Sequence, residues 1–413
     1  MTSEHTTDRW GDWPEEVRDD PFPTFSRLVR NGSVYPVTLT DGHDATLVVG
    51  HDAARQALNE ERLTKDMVAA LEEDPDAVAQ GLPGPDFAHH MMNADPPDHT
   101  RLRRLVSKSF TPRRVNVLEP WITEVTDGLL DDLERRNDVV DLVDGFAKPL
   151  PFFVISELLG VPTGERHDLH EAFGTLLSPW SGDPPAEVVA ASDAVVSCIE
   201  RMVDTKAAQP EDDLVTDLVR TSEGGDRLTR KELLSTIFQL VVAGHDTTTS
   251  LIGNGVVALL DHPRELERLR RDPALLPAAV EELLRFTAPV PHGTFRYATA
   301  DVELDGGTAP AGRQVLVCLG AANRDPGHFP DPNQLDLGRD TKGHLAFGHG
   351  MHFCLGAPLA RLEARVAFAR LLDRFAEIDL AVPRDELHWD HGDGLVLRGL
   401  SSLPVHLTVD ADR

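Results

Sequence analysis

Cysteine is scarce in this chain. Three in 413 residues, Cys198, Cys318 and Cys354, are an odd number without framework spacing, which excludes a disulfide-stapled fold and fits a reducing compartment. Positive charge is also short: 40 Lys and Arg stand against 69 Asp and Glu, a net charge of −29. Such a surface repels nucleic-acid phosphates and anionic membranes on average, so a local basic patch would stand out. No stretch approaches the roughly 18 uninterrupted apolar residues of a membrane span. The polar start "MTSEHTTDRW" has no apolar core of signal-peptide length. These absences predict a cytoplasmic protein with no nucleic-acid and no membrane partner. Also missing are a fixed-period repeat, a low-complexity linker, a flavin- or nicotinamide-binding motif and a cysteine set for an iron–sulfur cluster. Any redox chemistry here would draw its electrons from a separate protein.

What is present reads as mainly α with a small β region. "VYPVTLTDGHDATLVVG" (34–50) predicts a hairpin turning at Asp41-Gly42, with Asp52 capping a short helix after it. Residues 65–92 are rich in Asp, Gly and Pro and predict a long irregular connection, a lid or a binding wall. At "DPPDHTRLRRLV", Asp95 is expected to cap a helix with Pro96 in its first position. Helical periodicity then covers 118–133, 188–206, 231–260 and 263–269. After Arg285 short β-like runs alternate with turns such as Asp305-Gly306. A clear amphipathic helix follows in "GAPLARLEARVAFARLLDRF", and the chain ends in strands. No composition shift marks a boundary, so residues 1–413 are expected to form a single domain.

"AFGHGMHFCLG" (346–356) sets one thiol among three glycines and two histidines, just ahead of that helix. Glycines let backbone approach a bulky group, and amides at a helix start favour negative charge. The loop alone leaves three readings open. Cys354 is a buried small hydrophobe, the usual fate of a lone cysteine; or it joins His349 and His352 in a zinc site, although no second cysteine or HExxH helix supplies the rest; or it is the protein ligand of a haem iron.

A second stretch breaks local rules. "LVVAGHDTTTS" lies inside the long helical segment, yet Gly244 through Thr249 give up roughly 3 kcal/mol of helix propensity against alanine. Threonine back-bonding and close packing at Gly244 would explain this without function. Equally, Leu240, Ala243 and Thr247 share a face beside Gly244, where small residues would let a ligand lie flat. Elsewhere, "EELLR" places Glu282 and Arg285 three apart, a spacing common on exposed faces and worth a few tenths of a kcal/mol there. His99 and Arg103, four apart, read most simply as a solvated basic face.

Phe347, Gly350, Cys354 and Gly356 match the Phe-x-x-Gly-x-x-x-Cys-x-Gly signature of the cytochrome P-450 haem-thiolate monooxygenases. "AGHDT" resembles that family's oxygen-binding motif. The resemblance covers essentially the whole chain and is nearest to soluble bacterial members that oxidise macrolides and other secondary metabolites. It implies the cytochrome P-450 fold, triangular and helix-rich, with haem b buried between the long central helix and the cysteine loop. It implies hydroxylation, R–H + O2 + two electrons + two protons giving R–OH + water, or epoxidation.

Residue by residue, the resemblance implies that Cys354 is the axial ligand of the haem iron. Thr247 would hydrogen-bond the dioxygen being activated, and Asp246 would relay protons. His99, Arg103, Arg296 and His352 would bind the haem propionates, and Ala243, Gly244, Phe347, Gly350 and Gly356 would contact the cofactor. Glu282, Arg285 and Arg339 would form a buried structural triad, with Leu335 standing where relatives often carry phenylalanine. Leu240, Val290 and His292 would line the substrate pocket, His292 being expected to face solvent unless it meets a polar substrate group. Further pocket walls are expected from 65–92 and from "LLSPWSGDPP".

The substrate implied is a polyketide- or macrolide-like metabolite, as in antibiotic biosynthesis, with a steroid or terpenoid as the alternative. A peroxygenase, or a haem-binding sensor without dioxygen turnover, is a further alternative. The protein is expected to be a monomer served by an acidic ferredoxin and its flavin reductase. The docking patch is expected from Arg101, Arg103, Arg104, Lys108, Arg113 and Arg114, a stretch from 99 to 114 without one acidic residue, together with Arg361 and Arg365.

Overall fold

The computed structural model describes residues 9–11, 13–40, 42–66, 85–108, 110–136, 138–177, 184–223, 226–390 and 396–409. Two compact units emerge, each assembled from separate stretches of chain: 1–64, 121–148 and 247–413 in the first, 65–120 and 149–246 in the second.

The first unit carries most of the β structure. Val34–Thr38 and Asp44–Val48 form the expected hairpin, paired from Val34 with Val48 to Thr38 with Asp44. The sheet continues through Gln314–Val317, parallel to Asp44–Val48, then antiparallel through Arg296–Ala298 to Leu63–Thr64. Ala45, Leu47 and Leu316 pack from one face against Phe25, Trp10 and Trp13. Val48, Val315 and Val317 pack with Ala53, Ala54, Ala57 and Leu58 of the helix His51–Asn59. That split is the two-residue alternation of strand side chains. The hairpin helix is capped by Gly50 rather than Asp52, which lies inside its first turn.

The helix Ala357–Arg374 buries Leu359, Leu362, Val366, Phe368 and Leu371, a three-to-four spacing that makes one apolar face. A Cβ on Gly255 would come within 2.5 Å of the Phe368 ring, so glycine there lets this helix and the far half of the long helix Arg230–Asp261 approach closely.

The second unit is nearly all helix: Asp98–Ser107, Pro149–Leu159, Arg166–Leu176, Ala186–Ala208, Leu214–Arg220 and the first half of the long helix. The helix after residue 95 begins later than expected. Asp98 opens it, Pro97 precedes it, and the Asp95 carboxylate instead accepts from the Lys65 backbone N–H at 3.0 and 3.2 Å. No helix among the described residues is long and apolar enough to cross a membrane.

Candidate active site

The thiol loop is shaped by left-handed glycines, Gly348 at φ 70° and Gly350 at φ 75°, a region side-chain-bearing residues avoid. A Cβ on Gly350 would lie 2.5 Å from Asn59 Oδ1 and 2.8 Å from the Leu58 carbonyl, so the loop is pressed onto the helix His51–Asn59. The Cys354 N–H donates to the Phe347 carbonyl at 2.9 Å and closes the loop. Gly356 then starts the helix Ala357–Arg374. Cys354 is exposed while Cys198 and Cys318 are buried. Burial pushes the Cys198 thiol to about 11, with Glu165 adding to the effect, and the Cys318 thiol to about 12. Only Cys354 is therefore placed to offer a thiolate. Among the described residues the one cluster with metal-ligand geometry is Glu15, Asp19 and His388, so the zinc reading of Cys354 with His349 and His352 falls.

Arg361, one turn into that helix, braces the loop. Its guanidinium lies 4.5 Å from the Phe347 ring centroid and holds Glu281 through two contacts of 2.6 and 2.8 Å. His344 meets the same carboxylate at 2.9 Å. Burial opposes ionisation of Glu281, yet Arg361 and then His344 hold its pKa down to about 2. Beside it, Arg285 is fully buried and donates from Nε and Nη2 to Glu282, both at 2.7 Å, while Arg339 Nε reaches Glu282 at 3.1 Å. The triad expected from Glu282, Arg285 and Arg339 is formed. Leu335 is buried close to it in sequence.

In the long helix, residues are buried without interruption from Leu233 to Val241 and from Ser250 to Leu259. Between them Ala243 is exposed, and Val242, Gly244, Asp246, Thr247 and Thr249 are half-buried. The helix stays regular through this break. A Cβ on Gly244 would stand 3.4 Å from Ile155, an ordinary contact, so close packing does not require glycine here. His245 and Thr248 are buried within the same stretch, so accessibility alternates along it, and Ala243, Gly244 and Thr247 are the small residues left accessible to a flat ligand. Leu240 is buried.

His99 is buried in the second unit, and its pKa is lowered by burial first and by the Arg103 charge next. The two side chains do share a face. In the first unit Arg296 is buried on its strand, with Nη1 donating to the Thr294 carbonyl at 3.2 Å, and His352 is half-buried in the thiol loop. Val290 is half-buried and packs on the sheet core.

Two expectations are corrected. His292 does not face solvent: it is wholly buried, its ring 5.8 Å from Trp10, 6.0 Å from Phe25 and 6.4 Å from Trp13. It belongs to the aromatic packing of the N-terminal segment and drops out as a pocket residue. The basic stretch 99–114 is neutralised in part, three of its six cations meeting carboxylates distant in sequence. Arg101 is paired with Glu232 and lies 3.5 Å from Asp226, Arg104 lies 3.6 Å from Asp226, and Arg114 is paired with Asp217. With Arg361 held by Glu281, Arg113 and Arg365 are left with no carboxylate partner among the described residues. The expected pocket walls at 67–84 and 178–183 lie outside the described residues.

Within the first unit, an accessible thiol presented by a glycine-shaped loop at a helix start, with a buried arginine on a strand, is a set of residues that fits a haem iron held by a cysteine. Comparison with known proteins agrees. Residues 186–398 match the family model for Cytochrome P450. The chain is 46% identical to Cytochrome P450 107B1 of Saccharopolyspora erythraea, over 94% of this chain and 95% of that protein. It is 45% identical to the cytochrome P450 monooxygenase PikC of Streptomyces venezuelae, over 95% and 92%. The solved structure of the bacillaene polyketide synthase cytochrome P450 PksS of Bacillus subtilis superposes with a TM-score of 0.87 at 38% identity, covering 96% of this chain and 98% of that one. The chain belongs to the cytochrome P450 family and is a haem-iron monooxygenase.

Proposed function

We propose that this monooxygenase inserts one oxygen atom from dioxygen into a mid-sized apolar polyketide or macrolide, by hydroxylation or epoxidation, as a single-domain cytoplasmic monomer. The single observation that carries the chemistry is Cys354, the accessible thiol of the three, set in the glycine loop at the start of the helix Ala357–Arg374. The substrate class rests on relatives. PikC, the polyketide-biosynthesis P450 PksS and 6-deoxyerythronolide B hydroxylase of Saccharopolyspora erythraea are 45%, 39% and 42% identical to this chain. A Vitamin D(3) 25-hydroxylase of Pseudonocardia autotrophica at 43% favours a steroid-like substrate as the second reading.

Haem b, when bound, supplies the iron at which dioxygen is reduced and its O–O bond cleaved. Cys354 would hold that iron as thiolate and raise electron density at it. His99, Arg103, Arg296 and His352 would hold the two propionates. Burial and then the Arg103 charge lower the pKa of His99, and the arginines, whose planar fork suits carboxylates, would carry the permanent positive charge. The Thr247 hydroxyl would donate to the oxygen being activated, and the Asp246 carboxylate would pass solvent protons toward it, general acid work without flooding an apolar pocket. Glu282, Arg285 and Arg339 hold the chain before the thiol loop and take no part in the reaction.

Electrons would come from an acidic ferredoxin served by a flavin reductase, with Arg113 and Arg365 the cations left for docking. Arg113→Glu should raise the ferredoxin concentration for half-maximal turnover severalfold at low salt, whereas Arg104→Glu, already facing Asp226, should do less. Equal effects would contradict this assignment. Substrate class is tested by optical titration of the ferric protein with 6-deoxyerythronolide B and with vitamin D3, followed by turnover. Tighter binding and oxidation of the macrolactone with dioxygen and reductant supports the proposal. Preference for vitamin D3 supports the second reading, and turnover with peroxide alone would make the protein a peroxygenase.

A further inference from the structure

His245 sits between Gly244 and Asp246, and no role above uses it. Neighbouring residues on a helix point about 100° apart and do not ordinarily face each other. Yet His245 Nδ1 lies 3.0 Å from Asp246 Oδ1. The imidazole is 4% exposed, so it is not a surface group that drifts into this contact. Two rings from other helices fix its orientation: Phe152 meets it edge-on at 5.5 Å and 82°, and His170 meets it edge-on at 5.4 Å and 86°. Phe152 and His170 in turn pack together at 4.6 Å. Phe152 belongs to the helix Pro149–Leu159 and His170 to Arg166–Leu176, so two elements converge on one imidazole and aim its Nδ1 at the carboxylate.

We propose that His245 is a positioning residue for Asp246: its Nδ1–H donates to the carboxylate and holds one rotamer of a side chain that must present the same oxygen in every turnover. This rests on the reading of Asp246 as proton carrier. A half-buried carboxylate on a helix has several staggered rotamers open to it, and a charge-assisted hydrogen bond from a buried ring packed against Phe152 and His170 selects among them. His245 itself acts through Asp246. His170 and Phe152 are the brace, and the effect of replacing them runs through the histidine.

The test separates ring packing from hydrogen bonding with two complementary substitutions in the holoenzyme. His245→Phe keeps a ring between Phe152 and His170 and removes the donor. His245→Asn removes the ring and leaves an amide N–H near the place of Nδ1. Asp246→Asn is the reference. Nitrogen-15 histidine NMR of the reduced, carbon-monoxide-bound protein, which is diamagnetic, should show His245 protonated at Nδ1, with that resonance moving in Asp246→Asn. NADPH oxidation through a ferredoxin and its reductase, with 6-deoxyerythronolide B as probe, should slow by roughly tenfold in His245→Phe and Asp246→Asn and stay near wild type in His245→Asn. Affinity for the probe should not change in any of the three. If His245→Phe behaves as wild type and His245→Asn fails, the residue is packing and the inference is overturned. An Nδ1 resonance indifferent to Asp246→Asn overturns it as well. Wild-type rates in Asp246→Asn, with the NMR contact intact, would instead defeat the proton-carrier reading on which it rests.

Discussion

Two stretches of this chain violate the rules of their own neighbourhood, and they do so by different means. In the thiol loop the departure is in the backbone: Gly348 and Gly350 sit at positive φ, and a Cβ at Gly350 would collide with Asn59 and the Leu58 carbonyl. In the break of the long helix the backbone is regular from Arg230 to Asp261, and the departure is in which side chains are accessible. The loop needs its glycines in order to fold. The helix would fold better without its own, since Gly244 has only an ordinary distance to Ile155. A position that folding requires and a position that folding merely tolerates give opposite responses to the same substitution.

The largest effect expected is at the loop. Gly350→Ala forces a side chain into a left-handed conformation and against two oxygens, at a cost of about 1–3 kcal/mol for the backbone alone. Thermal unfolding should show a clear loss of stability, with reduced haem content. Next is Thr247→Ala, half-buried in the helix break. It should leave haem content and stability nearly unchanged and divert a large share of electrons to hydrogen peroxide, read as peroxide released per NADPH consumed; unchanged coupling would remove Thr247 from proton delivery. The smallest is Gly244→Ala, which should raise stability by up to about 1 kcal/mol through helix propensity. If Gly244→Ala destabilises as much as Gly350→Ala, the distinction between the two stretches is broken.

The same contrast governs how much could be read from the sequence. The helices 119–134, 186–208, 230–261 and 357–374 fall within a few residues of their expected spans, because a buried face repeats every three to four residues. The loop signature is contiguous, so Phe347, Gly350, Cys354 and Gly356 were legible at once. Contacts between residues far apart in sequence were not. The stretch 99–114 holds no acid of its own, and nothing local shows that Asp226, Glu232 and Asp217 will meet its arginines. His292 stands among Pro, Gly and Thr, which suggests a surface loop, and only the packing of Trp10, Trp13 and Phe25 around it reveals a core residue. Asp95, preceding two prolines, reads locally as a cap; its carboxylate accepts from the Lys65 backbone N–H instead. Helical spacing likewise gives no reason for His245 to touch its neighbour Asp246, since adjacent side chains on a helix point apart. An aromatic-sized polar residue inside a run of small ones was the signal available.

The central claim is that Cys354, and neither of the buried thiols Cys198 and Cys318, is the ligand of the haem iron. The most direct measurement is the absorption spectrum of the reduced protein under carbon monoxide. Wild type, Cys198→Ser and Cys318→Ala should all give the red-shifted Soret band of a haem-thiolate protein, and Cys354→Ser should not. A red-shifted band that survives in Cys354→Ser, or one lost from Cys198→Ser or Cys318→Ala while folding is intact, would contradict it.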